Sequence, residues 1–229
     1  MAAEASARPP CEPRLLGLVP YKQAWDLQAA LVRARKAGEV PDQLLLLEHP
    51  HVYTVGRNGG FTHILLDGEE LARRGIEVFE VDRGGDVTYH GPGQLVGYPI
   101  VDLRRQGVDA HRYLRGLEES LMRTLADYGV AAGRNPGLTG VWLGNDKIAA
   151  IGVRISGGVT SHGFALNVNT DLSYFGHIIP CGLVGKGVTS LAEQVGHPVP
   201  LAEVAARLAD HFAAEFGLDL APANGSLGQ

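Results

Sequence analysis

Strand-like segments follow one another directly along much of this chain, and that order limits the folds it can form. After a first amphipathic helix predicted over Tyr21–Ala37, residues 43–56 have the branched apolar character of two strands around a proline break. Residues 140–155 predict a hairpin, because the turn at 144–146 reads Gly-Asn-Asp. Hairpins join antiparallel strands, whereas parallel sheets need crossover helices. The sequence therefore predicts an α+β fold, a mixed and partly antiparallel sheet with packed helices.

Two later helices have a clear apolar stripe. Between residues 109 and 128, leucines and a tyrosine recur at spacings of three and four until Gly129 ends the pattern. A last helix is predicted over Leu201–Phe216, and Ser190 with Glu193 has the spacing of a capping box at the start of a short helix. These elements give the sheet helical layers to pack against.

The domain organisation follows from length and from the absence of a low-complexity linker. The chain has 229 residues, of which 45% are hydrophobic, enough to bury a sizeable core. No linker-like stretch interrupts the central part of the sequence. We expect a disordered leader over 1–14, a single domain over 15–218 and a flexible tail over 219–229.

Charge and hydropathy exclude several classes of protein. A net charge of -5 argues against a dedicated nucleic-acid binder, which has a basic excess. The longest apolar run, residues 44–47, is far shorter than a membrane span, and the acidic, proline-containing start does not resemble a secretory signal. Only Cys11 and Cys181 are present, which makes a disulfide framework improbable. We expect a cytoplasmic protein that binds neither nucleic acid nor membrane.

A glycine-rich segment, RGGDVTYHGPGQLVGYPI from Arg83 to Ile100, is the most unusual stretch of the sequence. It matches neither the dinucleotide-binding fingerprint nor the phosphate-binding loop. One interpretation is a strained turn between strands, and the other is a ligand channel in which polar side chains lie beside a backbone without Cβ atoms. The candidate ligand-lining residues are Arg83, Gly84, Gly85, Asp86, Val87, Thr88, Tyr89 and His90, and the role of His90 is left open.

Cys181 and Lys147 are the candidate reactive side chains. Cys181 lies between Pro180 and Gly182, a setting that holds a side chain at a defined angle and leaves its surroundings uncrowded. An unpaired cysteine is more often a small buried hydrophobe, and a lysine at a strand end is usually solvated. If the two lie close together, the ammonium would lower the thiol pKa from about 8.5 toward that of reactive cysteines.

Two strand-like segments contain small residues. The sequence does not decide whether these segments are two core strands or form a slot for a ligand. The candidates for the slot, which would accept an acyl chain, are Ala150, Ile151, Gly152, Gly163, Phe164 and Ala165. The histidines and cysteines lack metal-ligand spacing, and no G-x-S-x-G nucleophile elbow is present. We therefore expect no metal site and no serine nucleophile.

Four motifs taken together resemble a known family. The glycine-rich segment, KIAAIGVR, SHGFALNVN and PCGL, in this order and at these intervals, resemble the lipoyl(octanoyl) transferases of lipoate biosynthesis. The resemblance covers about residues 44–196. It implies a fold similar to the catalytic domains of biotin and lipoate protein ligases. It also implies an acyltransferase in which Cys181 carries an acyl thioester, Lys147 activates it and the candidate lining residues form the substrate site.

The resemblance further implies partners and excludes cofactors. The octanoyl donor would be octanoyl-acyl carrier protein, and the acceptors would be lysines of the lipoyl domains of 2-oxoacid dehydrogenases and of the glycine cleavage H protein. Because a thioester already carries the acyl group, no ATP or other cofactor is needed. Such partners are usually acidic, so a local basic patch is expected, with the candidates Arg104, Arg105, Arg112 and Arg115.

Two other functions remain as alternatives. The first is an ATP-dependent lipoate or biotin protein ligase of the same fold, which would need a basic loop for adenylate phosphates and would not need Cys181. The second is a non-catalytic acyl-binding module, for which the pair of Lys147 and Cys181 would be superfluous.

Overall fold

The computed structural model describes residues 8–179 and 186–221. Its strands are β1 (Pro10–Leu18), β2 (Asp42–Glu48), β3 (Val52–Val55), β4 (Glu77–Glu80), β5 (Val87–His90), β6 (Gln94–Ile100), β7 (Gly133–Asn135), β8 (Leu138–Leu143), β9 (Asp146–Ser156), β10 (Val159–Asn167), β11 (Gly187–Val188) and β12 (Asp219–Leu220). Its helices are α1 (Tyr21–Ala37), α2 (Gly68–Arg73), α3 (Leu103–Gln106), α4 (Ala110–Ala126), α5 (Leu191–Val195) and α6 (Leu201–Phe216), with short 3-10 turns at Phe61–His63 and Leu172–His177.

A large mixed sheet forms the body of the molecule. Its strand order is β12-β1-β2-β6-β10-β9-β8-β7, with β11 paired to β9 as a branch. The strands from β2 through β6, β10, β9 and β8 to β7 pair antiparallel, whereas β1 runs parallel to both β2 and β12. The predicted mixed, partly antiparallel sheet is confirmed.

Helices cover both faces of this sheet, because its central strands are apolar on both sides. Leu44 and Leu46 belong to the core formed with α4 and α6, while Leu45 and Leu47 pack on the side of α1. From α4, Leu117 and Leu121 are fully buried. Truncating such a leucine to alanine typically costs about 2–5 kcal/mol of unfolding free energy, so these stripes hold the layers together.

A second, three-stranded sheet contains the first part of the glycine-rich segment, as β5, whereas the last part of that segment is β6 of the large sheet. Its order is β4-β3-β5, with β3 parallel to β4 and antiparallel to β5. Residues 43–56, predicted as two strands around a break, divide between the two sheets, with β2 in the large one and β3 in the small one. The break at His49–His51 therefore moves the chain from one sheet to the other.

Local sequence signals position several helix ends and the hairpin. Asp109 caps α4 by accepting a hydrogen bond from the Arg112 amide, and Ser190 caps α5 by accepting one from the Glu193 amide. Gly38 ends α1 with a φ of 77°. Residues 144–146 connect β8 to β9, as the turn composition predicts.

The two chain ends require a correction. The leader was predicted to be disordered through residue 14, but residues 10–14 belong to β1, and Cys11 is fully buried in the core. Likewise, β12 extends the ordered chain to residue 220 and pairs with Pro10 and Cys11. This strand was not predicted because proline normally argues against the interior of a sheet. The prolines of β1 lie near the edge of the sheet. A single domain over 15–218 stays a prediction.

The helices of residues 8–179 and 186–221 were also inspected for membrane-spanning character. None of them has both the length and the apolar composition that crossing a bilayer would require.

Candidate active site

A cavity of about 250 Å³ lies where the small sheet meets β9 and β10. It is lined by all of the predicted site residues on the described chain except Tyr89: Lys147, Arg83, Gly84, Gly85, Asp86, Val87, Thr88, His90, Ala150, Ile151, Gly152, Gly163, Phe164 and Ala165. Residues that lie up to 82 positions apart in the chain thus meet around one cavity. The predicted residues are brought together by the pairing of β9 with β10, in which Gly152 is opposite Gly163.

The glycines here permit backbone to approach backbone. The Gly84 amide donates a hydrogen bond to the carbonyl of Val153 on β9, with an N···O distance of 3.0 Å. A Cβ at Gly152 would lie only 2.9 Å from the Gly84 oxygen. The loop over 83–86 is therefore held directly against the sheet and forms a wall of the cavity.

Tyr89 is the exception among the predicted lining residues. It alternates along β5 with Thr88 and His90, which line the cavity, and its side chain packs in the core of the small sheet instead. Its hydroxyl lies 2.8 Å from Nδ1 of His51, and its ring stacks on Tyr174 at 4.9 Å. Tyr89 thus packs in the core of the small sheet and does not line the cavity.

Arg83 places a buried guanidinium in the cavity wall. Nη2 donates to the carbonyl and to the hydroxyl of Thr54, both at 2.8 Å, and Nη1 donates to the Gly84 carbonyl at 3.0 Å. No carboxylate on the described chain forms an ion pair with it, and its Nε has no hydrogen-bond partner there. Burial lowers the pKa of Arg83. The guanidinium is stabilised by neutral oxygens and gives this wall a positive charge.

Histidines in the wall are neutral near pH 7. His90 is buried, and its Nδ1 donates to Oε1 of Gln94 at 2.8 Å. Burial lowers the pKa of His90 well below its ordinary value. Burial also lowers the pKa of His162, although Nε2 of that ring lies 2.9 Å from Oδ1 of Asp82. Both rings can therefore donate and accept hydrogen bonds without adding charge.

Several lining residues were not found from the sequence. They are Tyr21, Gln94, Tyr98, Gly137, Leu138, Thr139, Asn167, Phe175 and Val188, whereas His162, which also lines the cavity, is a residue whose role the sequence left open. Gln94 and Tyr98 belong to the glycine-rich segment itself, and reading that segment beyond His90 would have found them. Tyr21, at the start of α1, has no local signal that distinguishes it from a core residue.

Lys147 lies at the start of β9, next to the hairpin turn. Its ammonium is 4.7 Å from the ring centroid of Trp142, its partner across the hairpin. Burial lowers the pKa of Lys147 from 10.5 to about 8. The side chain can therefore lose or gain a proton close to neutral pH.

Cys181 belongs to residues 180–185, which lie outside the described chain. Residues before and after this segment line the cavity. Before the segment, the Ile179 amide donates to the His63 carbonyl at 2.8 Å, and Phe175 lines the cavity. After the segment, Val188 lines the cavity and pairs with Lys147 as β11 runs along β9. Phe175 and Val188 thus both line the cavity, one on each side of Cys181 in the sequence.

The predicted basic patch is largely neutralised. Arg104 forms two hydrogen bonds to the Asp102 carboxylate at 2.9 and 2.8 Å, and Arg115 donates to Glu118 at 2.7 Å. Arg105 lies 3.9 Å from the same Asp102. Of the four predicted arginines, only Arg112 has no ion-pair partner among residues 8–179 and 186–221. These arginines provide less net positive charge than their number in the sequence indicates.

The chain is similar to enzymes of lipoate metabolism along most of its length. The lipoyl protein ligase A/B catalytic domain family matches residues 20–213. An octanoyltransferase from Solibacter usitatus is 55% identical over 212 residues, which cover 93% of this chain and 96% of that protein.

Two solved structures show the same fold at low sequence identity. A bipartite lipoate protein ligase from Thermoplasma acidophilum has a TM-score of 0.70 at 20% identity, over 92% of this chain and 85% of that one. A biotin protein ligase from Aquifex aeolicus has a TM-score of 0.54 at 12% identity, over 90% of this chain and 70% of that one. The predicted similarity to biotin and lipoate ligase domains is confirmed. By its sequence, the chain belongs to the octanoyltransferase family of acyltransferases, which act in lipoate biosynthesis.

Proposed function

We propose that this enzyme takes an octanoyl group from acyl carrier protein onto Cys181 and passes it to a lysine of a lipoyl domain. The observation that carries the proposal is the environment of Lys147. This lysine lines the cavity, has a pKa near 8, and lies on the strand that pairs with Val188, seven residues beyond Cys181. A cationic amine beside Val188, if Cys181 comes within its reach, would favour a thiolate at position 181.

The first step is thioester exchange. The Cys181 thiolate attacks the carbonyl carbon of the carrier-bound octanoyl thioester, a new C–S bond forms, and the bond to the carrier sulfur breaks. The carrier leaves as a thiolate and takes up a proton from the Lys147 ammonium, which leaves Lys147 neutral for the second step. Lys147 favours this step while it is protonated, because its charge lowers the free energy of the attacking anion.

The second step is amide formation. The amine of the acceptor lysine attacks the Cys181 thioester, a C–N bond forms, and the C–S bond breaks to return the Cys181 thiolate. The amine must lose a proton in this step, and neutral Lys147 accepts it. A pKa near 8 suits both roles, because the protonated and neutral forms of Lys147 are both populated near neutral pH.

The cavity offers a site for the acyl chain along β9. From Lys147 to Gly152 the strand advances five residues, which is about 16 Å at roughly 3.3 Å per residue. The seven C–C bonds of an octanoyl chain, at about 1.5 Å each, span no more than roughly 11 Å. We assign the predicted lining residues from Arg83 to His90, without Tyr89, and those from β9 and β10 to substrate binding.

The acceptors in this proposal are the lipoyl domains of 2-oxoacid dehydrogenases and the glycine cleavage H protein. In each of them the octanoyl group would be joined to a lysine, whose amine must reach the thioester. No ATP and no metal take part, since the acyl group arrives already activated as a thioester.

Intact-mass measurement tests the proposal. The purified enzyme is incubated with octanoyl-acyl carrier protein in the absence of ATP, and we expect a mass gain of one octanoyl group that disappears in Cys181→Ser. Cys11→Ala is the matched control. Cys11 is fully buried and its pKa is raised to about 12 by burial, so this variant should still be acylated. Acylation that requires ATP, or that persists in Cys181→Ser, would overturn the proposal.

A further inference from the structure

Trp142 is an aromatic neighbour of Lys147, and the two side chains extend from the same face of the hairpin. Trp142 on β8 is directly opposite Lys147 on β9, and directly opposed residues of an antiparallel pair share a face. The Lys147 ammonium is 4.7 Å from the centroid of the indole. This distance lies within the roughly 6 Å at which an ammonium is attracted to an aromatic face.

The indole of Trp142 is buried. Trp142 is only 2% exposed, and it does not line the cavity. A cation–π contact is strongest where water is excluded, because water competes poorly for the ammonium there. Trp142 therefore acts on the lysine from outside the substrate site.

The Lys147 ammonium contacts the indole and is not paired with a carboxylate of the described chain. The charged groups on the packed elements are Asp146 on β9, Glu118 on α4 and Lys186 next to β11. Glu118 is bound by Arg115, Arg134 and the Gly140 amide, and the Lys186 ammonium donates to Oδ1 of Asn145 at 2.6 Å. Within the described part of the chain, Lys147 forms no ion pair. Lys186 also lies 5.8 Å from the Trp142 centroid.

We propose that Trp142 is a positioning residue that holds the protonated form of Lys147 in place through the face of its indole. The inference rests on the role proposed for Lys147 in octanoyl transfer. An indole stabilises the ammonium without a formal negative charge. A carboxylate in its place would raise the lysine pKa and prevent proton release near neutral pH, whereas the indole leaves both protonation states accessible.

The direct test measures the proton affinity of Lys147 without turnover. In the Cys181→Ser protein, the pH dependence of Lys147 labelling by an amine-reactive reagent is followed by peptide mass spectrometry. Removing the indole destabilises the ammonium, so in Trp142→Leu the midpoint should fall by roughly one pH unit. Trp142→Phe keeps an aromatic face and should shift the midpoint less.

Two controls isolate the contact. Trp25→Leu removes the other tryptophan, which packs near Tyr21 and His162, and should leave the Lys147 midpoint unchanged. Lys186→Met removes the second ammonium near the indole and should also leave the midpoint in place. An unchanged midpoint in Trp142→Leu, with a folded protein by circular dichroism, overturns the inference.

Kinetics give a second, independent readout. Since Trp142 does not line the cavity, Trp142→Leu should lower kcat for octanoyl transfer at least about twofold at pH 7, while the KM for octanoyl-acyl carrier protein stays the same. The alkaline limb of the pH–rate profile should move to lower pH with the lysine midpoint. A fall in kcat without that movement indicates a merely structural role and contradicts the inference. Failure of thioester formation in the wild type would instead contradict the proposed function, and the labelling result would still stand.

Discussion

The Glu118 carboxylate on α4 accepts a hydrogen bond from the backbone amide of Gly140, with an N···O distance of 3.2 Å. Gly140 is a neighbour of Lys147, since a Cβ built at Gly140 would lie 3.6 Å from Cε of the lysine. Glu118 is 1% exposed and is also bound by Arg115 and Arg134 at 2.7 and 2.8 Å. A buried acid on a helix thus fixes the strand beside the proposed active lysine.

Replacing Glu118 should therefore destabilise the protein. In Glu118→Gln the buried charge is lost and an NH2 group, which cannot accept a hydrogen bond, replaces one of the two acceptor oxygens, so we expect the free energy of unfolding to fall by about 1.5–3 kcal/mol. Urea titration measures the change. Glu119→Gln is the matched control, because its ion pairs with Arg123 and Arg134 are at the surface and should be worth less than about 1 kcal/mol. Equal effects of the two variants would contradict this role of Glu118.

Burial of Lys147 should itself cost stability near neutral pH. Its folded-state pKa, about 8, is below the unfolded value of 10.5, so the unfolded chain binds more protons between these pH values. Stability should rise as the pH increases from 8 to 10.5, by up to about 3 kcal/mol. In the Cys181→Ser background, the additional substitution Lys147→Met should remove this rise and increase stability at pH 7. Urea titrations of both proteins at pH 7 and pH 10 check it, and parallel behaviour of the two would refute it.

Acid should destabilise the fold through His49. Its Nδ1 donates to the Val19 carbonyl at 2.6 Å, its Nε2 accepts from the Tyr98 hydroxyl at 2.7 Å, and burial lowers its pKa from 6.5 to about 4. The stabilising contribution of the neutral ring is present above pH 6.5 and is lost as the pH falls toward 4, by about 3 kcal/mol.

Unfolding free energies at pH 7 and pH 4.5 measure this acid effect. His49→Gln should show a smaller difference between the two pH values than the wild type. His197→Gln changes an exposed position and should show the same difference in unfolding free energy between the two pH values as the wild type. A His49→Gln protein as acid-sensitive as the wild type would show that other groups are responsible.

The contact between the loop over 83–86 and β9 should be needed for octanoyl transfer. A methyl group at Gly152 would meet the Gly84 oxygen at 2.9 Å and Cδ of Arg83 at 3.1 Å, so the loop must move away from the sheet. We expect Gly152→Ala to lose about 1–3 kcal/mol of stability and most of its octanoyl transfer rate. Gly133→Ala on β7 is the control, because no atom lies within 4 Å of its added Cβ. Normal transfer by Gly152→Ala would show that the loop position is unimportant.

Prediction from the sequence succeeded where the signal is local. The bounds of α1 and α6 were predicted from apolar periodicity, and the β8–β9 hairpin from its turn residues. The glycine-rich segment was recognised as cavity-lining, except that Tyr89 faces the other way. It was not predicted that Gly152 and Gly84 approach each other, because their contact joins residues 68 positions apart.

The sequence by itself determined which residue types and which local elements this protein has, because helix periodicity, caps and turns depend on neighbouring residues. It also carried the motifs that identify the family. Tertiary structure alone decided that Pro10–Leu18 joins the sheet, that Trp142 and Lys147 face each other, and that burial lowers the pKa of Lys147. Strand pairing and burial depend on chain segments far apart in the sequence, and a proton equilibrium responds to the complete surroundings that those segments create.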